Sequence, residues 1–199
     1  NLSKTHIATR PFCLFISYSG NTEETVSAAK DAIDKNLEWA AISSGGELLE
    51  LANKYNKKFV KVPDRLQPRA AFGLMTKAVI NFLPDRNKEI FINACEEAGN
   101  YLNNLTEDDS SKVFEISKNI ASQIGSKTAI IYAGSDLTYL VAQRWKTQIN
   151  ENSKSKAYVG FMPEIHHNEI LSWEADQEGS KNNFILILLR GDDHKKIDN

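Results

Sequence analysis

The chain's 199 residues suit one large domain or two small ones, and 41% hydrophobic content is enough for a packed core. Lys and Arg number 24 against 26 Asp and Glu, a net charge of -2, so no basic surplus points to nucleic acid and no charge block to a solvated tail. Apolar runs such as Phe184 to Leu189 are too short to span a bilayer and the polar opening NLSKTHIATR is no secretory signal, so the expectation is a cytoplasmic protein with neither nucleic-acid nor membrane partners.

In chain order, FCLFISYS, EWAAISS and KFVKVP predict three strands. Between the first two, Val26, Ala29, Ile33 and Leu37 recur at helical spacing and form a stripe able to pack on a sheet. GGELLELANKY predicts the next crossover helix. From Arg69 to Leu83 apolar residues cover nearly every side, which predicts one helix buried between layers and started by Pro68. NKEIFINACEEAGNYLNNL reads as a helix bridging two lobes, followed by the polar loop TEDDSS. A helix bearing Val113, Ile116, Ile120 and Ile124 then closes at Gly125. KTAIIYAGS predicts a strand, LTYLVAQRWKTQI a helix, and KAYVGFMP and NFILILLRG two further strands.

Strands alternating with helices give an α/β class with two doubly wound lobes, each a mainly parallel sheet flanked by helices. The first lobe is expected at residues 1–84, and the linking helix with the second lobe at 85–199. Cys13 and Cys95 lack CxxC spacing or a third partner and read as buried reduced thiols. No initiating methionine precedes Asn1, and LLRGDDHKKIDN stops soon after a strand, where a covering helix is due. The expectation is a fragment, incomplete at both ends.

Where the first strand gives way to the first helix, the sequence reads SYSGNTEET. A helix N-terminus exposes unpaired N–H groups and the positive end of the macrodipole, so it holds an anion without a cationic side chain. Ser17, Ser19 and Thr22 add hydroxyl donors, Gly20 permits a tight turn, and Asn21 with Glu24 has the pattern of a capping box. Such a loop suits a phosphate monoester. It lacks the GK[ST] of a nucleotide P-loop and the GxGxxG of a dinucleotide fold. For a single hydroxyl, an ordinary helix cap would be the better reading; three hydroxyls around one glycine favour an anion. Glu23 and Glu24 would repel a phosphate and are expected to point outward.

SYSGNTEET resembles the phosphosugar-binding motif of sugar isomerase (SIS) domains. QPRAAFG, RWKTQINENSK and HHNEILSWE follow in the order found in the bifunctional phosphoglucose/phosphomannose isomerases, a branch of the glucose-6-phosphate isomerase superfamily. The resemblance runs from about Cys13 to Arg190. It implies an aldose–ketose isomerase that interconverts glucose 6-phosphate and fructose 6-phosphate through an enediol, with no metal or organic cofactor. Mannose 6-phosphate is a further candidate substrate.

By the same resemblance, Ser17, Ser19 and Thr22 grip the phosphate and Glu151 moves a proton between C2 and C1. Arg69 steadies the enediolate oxygens. His167 opens the sugar ring and reaches the site of a neighbouring subunit, which implies a homodimer with shared active sites. Substrate-facing segments before Asn1 and after Asn199 are implied as well.

Read on its own, Glu151 between Asn150 and Asn152 is a solvated turn glutamate. Arg69 at a helix start is a cation where positive charge is unfavourable, which favours function over a structural ion pair. His166 has no assigned role, and HHNE is a poor metal motif because adjacent histidines diverge and no third ligand has suitable spacing. His6 and His194 are expected on the surface, and Trp145 and Trp173 in packing roles. Two rivals stand beside the isomerase. A non-catalytic SIS module sensing a phosphosugar would need the three hydroxyls but not Glu151, Arg69 and His167, and an SIS enzyme of amino-sugar phosphates would differ in its product.

Overall fold

The alternation of apolar runs and amphipathic stretches resolves into parallel strands and helices in a computed structural model that describes residues 11–106, 112–134 and 136–191. His6 and His194 lie outside the described residues. Two compact units divide between Leu102 and Asn103.

In the first unit β1 (Phe12–Ile16), α1 (Glu23–Asp34), β2 (Glu38–Ser43), α2 (Gly46–Lys54) and β3 (Lys58–Lys61) form two successive crossovers, and the strands lie parallel in the order β1-β2-β3. The central strand is apolar from Trp39 to Ile42 because both of its faces are covered. On one face Trp39 and Ala41 meet Val26, Ala29 and Ala32 of α1 and Leu48 and Ala52 of α2. The alanines leave no exposed surface or almost none and let the helices approach the sheet closely. On the other face Ile42 packs with Val62, Ala78, Met75 and Tyr18. Burying side chains the size of Trp39 and Ile42 contributes roughly 2–3 kcal/mol each.

The predicted helix from Arg69 to Leu83 is a broken one. A 3₁₀ turn, Pro68–Ala70, precedes α3 (Phe72–Val79), and a second 3₁₀ turn, Ile80–Phe82, follows it. Ala71, Ala78 and Ile80 are buried, but Phe72 keeps 56% of its surface. One sheet face covers only one stripe of a helix, so the apolar residues on the other side stay exposed. Leu83 is extended because it precedes Pro84, which disfavours the helical region. The long α4 (Asp85–Thr106) follows and buries none of its side chains.

The second unit begins, among the described residues, with α5 (Lys112–Ile124), closed as predicted by Gly125 at φ +51°. Val113 and Ile116 of its apolar stripe remain exposed. Next come β4 (Thr128–Ala133), α6 (Asp136–Gln148), a π-helical turn Ile149–Ser153 and β5 (Ala157–Phe161). Three short helices, α7 (Glu164–Asn168), α8 (Ser172–Ala175) and α9 (Gln177–Asn183), lead to β6 (Phe184–Leu189). All pairings are parallel, in the order β5-β4-β6. The strand order reverses at β4, the arrangement that places ligand crevices at strand C-terminal ends in open α/β sheets. Ile131, Ala133, Val159, Ile187 and Leu189 face Ala142, Tyr139 and Trp145 of α6, so Trp145 is a packing residue.

Cys13 and Cys95 are free thiols, but half-buried rather than buried, one on an edge strand and the other on the uncovered α4. No helix among the described residues is long and apolar enough to cross a membrane.

Candidate active site

Ser17, Ser19 and Thr22 come together in the β1–α1 loop. Ser17 is 5% exposed and its backbone N–H continues the ladder to the carbonyl of Ile42. Its Oγ lies 2.7 Å from Thr22 Oγ1 and accepts from Gly20 N at 3.1 Å. Either hydroxyl of the pair can donate to the other, which leaves one proton unspent. Ser19 Oγ accepts from Asn21 N at 3.2 Å and keeps its own proton for an incoming acceptor. Thr22 is the N-cap residue of α1, yet no side chain among the described residues caps that helix. The first intrahelical bond is Val26 N to Thr22 O, so the N–H groups of Glu23, Glu24 and Thr25 lie ahead of it. Glu23 and Glu24 are exposed, as the anion reading requires.

The capping box expected of Asn21 and Glu24 does not form. The helix starts one residue later, and Asn21 Oδ1 accepts instead from Glu47 N, capping α2. Leu48 N of α2 donates to Gly20 O. The two helix mouths therefore differ: the α2 terminus is satisfied by the loop, and the α1 terminus is left with its donors. The second strand-end loop, Ser43-Ser44-Gly45-Gly46, supplies the supporting wall. Ser44 donates from Oγ and N to Tyr18 O, at 2.6 and 2.9 Å, and Ser43 Oγ donates to Gly45 O at 2.7 Å. Gly20 has φ +72°, and a Cβ there would strike the carbonyl oxygen of Gly45 and come within 2.6 Å of Ser43 Oγ.

Arg69 sits in the 3₁₀ turn ahead of α3, half-buried, and not at the start of the helix proper. Two residues ahead of the α3 N-cap, Ala71, it stands outside the first turn, where the dipole acts most strongly. Tyr18, between the two loop serines, ties this region to the β1–α1 loop. Its hydroxyl donates to Pro63 O at 2.8 Å and accepts from Leu66 N at 3.0 Å.

In the second unit Glu151 lies within the π-helical turn that ends α6, and its side chain is exposed. The turn is fixed around it. Asn150 Nδ2 donates to Ser155 O at 2.8 Å, the side-chain amides of Asn152 and Gln148 meet at 2.6 Å, and Lys154 Nζ donates to the main-chain oxygen of Glu151 at 2.7 Å. Lys154 closes it in the left-handed region at φ 55°. A π turn advances side chains differently from an α-helix and recurs at functional positions.

His166 and His167 are exposed on α7, next to the buried Ile165. The same segment is tied back to the sheet by Tyr132, which is 6% exposed: its hydroxyl donates to Glu169 Oε2 at 2.9 Å and accepts from Trp173 Nε1 at 2.8 Å. Burial pushes the Tyr132 phenol above its ordinary value; the Trp173 hydrogen bond lowers it, and the Glu169 carboxylate raises it further. Trp173 also meets Phe184 edge-on at 5.6 Å, so it is a packing residue with a hydrogen-bonded tip. No hydrogen bond or ion pair joins Glu151 to His167 among the described residues, and no group of three His, Cys, Asp or Glu there can hold a metal ion.

Sequence reasoning missed Ser43, Ser44, Tyr18, Tyr132 and Glu169. The run SSGG at a strand end was a readable signal for the first two. Tyr132 pairs with residues 37 and 41 positions away, and no local pattern marks it.

Comparison with known proteins bears out the recognition made from the motifs. Residues 115–199 match the family described as the bacterial phospho-glucose isomerase C-terminal SIS domain. A bifunctional phosphoglucose/phosphomannose isomerase of Aquifex aeolicus is 38% identical over 184 residues, which is 92% of this chain and 54% of that protein. A D-glucosamine-6-phosphate 4-epimerase of Sulfolobus acidocaldarius is 32% identical over 200 residues, 98% of this chain and 60% of that protein. The chain thus spans about half the length of the curated relatives it matches. The fold is shared with the C-terminal domain of glucosamine-fructose-6-phosphate aminotransferase from Francisella tularensis, with a TM-score of 0.60 at 18% identity, over 94% of this chain and 61% of that one.

Proposed function

We propose, from the chain's kinship with proteins named bifunctional phosphoglucose/phosphomannose isomerase, that it is part of an enzyme interconverting glucose 6-phosphate and fructose 6-phosphate, with mannose 6-phosphate as a second aldose. The observation that carries the reading is the uncapped mouth of α1. In this reading the spare hydroxyl protons of Ser19 and the Ser17–Thr22 pair and the first-turn N–H groups are offered to one anion, while the neighbouring α2 mouth is closed by Asn21.

In this reading residues 1–84 supply the phosphate grip and 85–199 the acid–base groups. His167 gives a proton to O5 as the C1–O5 bond breaks and takes one from O1. Glu151 removes the C2 proton of the open aldose and returns it to C1. Arg69 holds the negative charge on the two enediolate oxygens, for which its planar fork of donors is suited. The enzyme works as a cytoplasmic homodimer, with His167 serving the partner's site.

The test is conversion of glucose 6-phosphate in heavy water by the full-length protein. Deuterium at C1 of the fructose 6-phosphate formed supports proton transfer through an exchangeable base. A second reading, an enzyme of amino-sugar phosphates, is favoured by the Sulfolobus relative. Turnover of glucosamine 6-phosphate with inert fructose 6-phosphate would establish it in place of the first.

A further inference from the structure

We infer that Tyr132, Glu169 and Trp173 form a latch that positions His167; the inference rests on the reading of His167 as the ring-opening group. His167 projects from a helix of only five residues, too short to hold its own geometry. Two fixed points flank it. Two residues before it, Ile165 is 4% exposed and packs into the space left by Gly160, where a Cβ would come within 2.7 Å of both Ile165 and the Tyr132 ring. Two residues after it, Glu169 accepts the hydroxyl proton of Tyr132 at 2.9 Å. Tyr132 stands on β4, the middle strand of its sheet, so the acceptor is referred to the most constrained backbone of the unit.

Trp173, one helix further on, donates to the same hydroxyl at 2.8 Å. The resulting chain from indole to phenol to carboxylate polarises in one direction, and each bond strengthens the next. Backbone bonds close the intervening turn, with Glu169 N and Ile170 N both donating to Ile165 O. The exposed imidazole is thus carried on a loop whose two ends are keyed to one buried tyrosine. The Tyr132 hydroxyl does not touch substrate in this account; it acts through the loop.

Tyr132→Phe tests the latch because it removes the hydroxyl and keeps the ring that packs on Gly160 and Ile165. In the full-length protein, amide exchange of the segment His166–Trp173 should quicken about tenfold while the rest of the sheet is unchanged. Turnover of glucose 6-phosphate should fall about tenfold with KM within about twofold, and in a His167→Ala background the same substitution should cost nothing further. Glu169→Gln, whose amide oxygen still accepts from the tyrosine, should stay within about threefold of wild type. Unchanged exchange rates would overturn the latch. An undiminished loss in the His167→Ala background would overturn the claim that it works through the histidine. A wild-type protein with no isomerase activity would instead sink the functional reading, and the exchange rates would still decide whether the latch exists.

Discussion

The two units are built from the same parts and use them differently. Each is a three-stranded parallel sheet with a glycine- or serine-bearing turn after a strand, but the first runs β1-β2-β3 in chain order and the second reverses around β4. In the first unit the strand-end loops are stitched to one another by backbone bonds and by the side chains of Ser44 and Asn21, and what they leave over is a set of donors at one helix mouth. In the second, the segment after β5 is held by the side chain of Tyr132 and presents an exposed imidazole, while the turn leading from α6 into β5 is held by Asn150 and presents an exposed carboxylate. Backbone donors recognise an anion without changing protonation; side chains can exchange protons. Under the proposed function, the first unit would grip the anion and the second would supply the groups that exchange protons.

The division is broken most severely at Glu151. Glu151→Gln keeps shape and removes basicity, so turnover should drop by roughly 10²–10⁴-fold in a coupled assay of fructose 6-phosphate conversion. Next in size is Gly20→Ala, which forces a Cβ onto a left-handed residue against the Gly45 carbonyl. It should destabilise the first unit by about 3 kcal/mol, seen as a lower urea midpoint. Ser19→Ala removes one donor to a charged group and should weaken fructose 6-phosphate binding by about 1.5–3 kcal/mol in calorimetry, with little change in stability.

The smallest effect concerns pH. Burial raises the Tyr132 phenol in the folded state, so its contribution to stability is complete below the ordinary tyrosine value near 10 and is lost as pH rises through the higher folded value. Tyr132→Phe should flatten alkaline unfolding in that range, read as Tm against pH above about 10.

Much of this was legible beforehand because strands of a parallel sheet read as short apolar runs; the covered β2 and β4 are the clearest, and the shorter β3 and the half-exposed β6 were read from runs of the same kind. The hydroxyl loop was legible for a similar reason: its residues are neighbours in sequence. Other features depend on contacts that sequence distance hides. Asn21 looked like a partner for Glu24 and serves Glu47, across 26 positions. The segment from Glu164 to Asn183 breaks into three helices too short to show a period, with Tyr132 rather than its own pattern holding the first part. The π turn at Glu151 is invisible to any 3.6-residue template.

The division of labour is tested most directly by titrating the Glu151→Gln protein with fructose 6-phosphate. The account predicts an affinity within a few-fold of wild type, still lowered by adding Ser19→Ala, in a protein that no longer turns the sugar over. Loss of binding on Glu151→Gln, with no effect of Ser19→Ala, would contradict it.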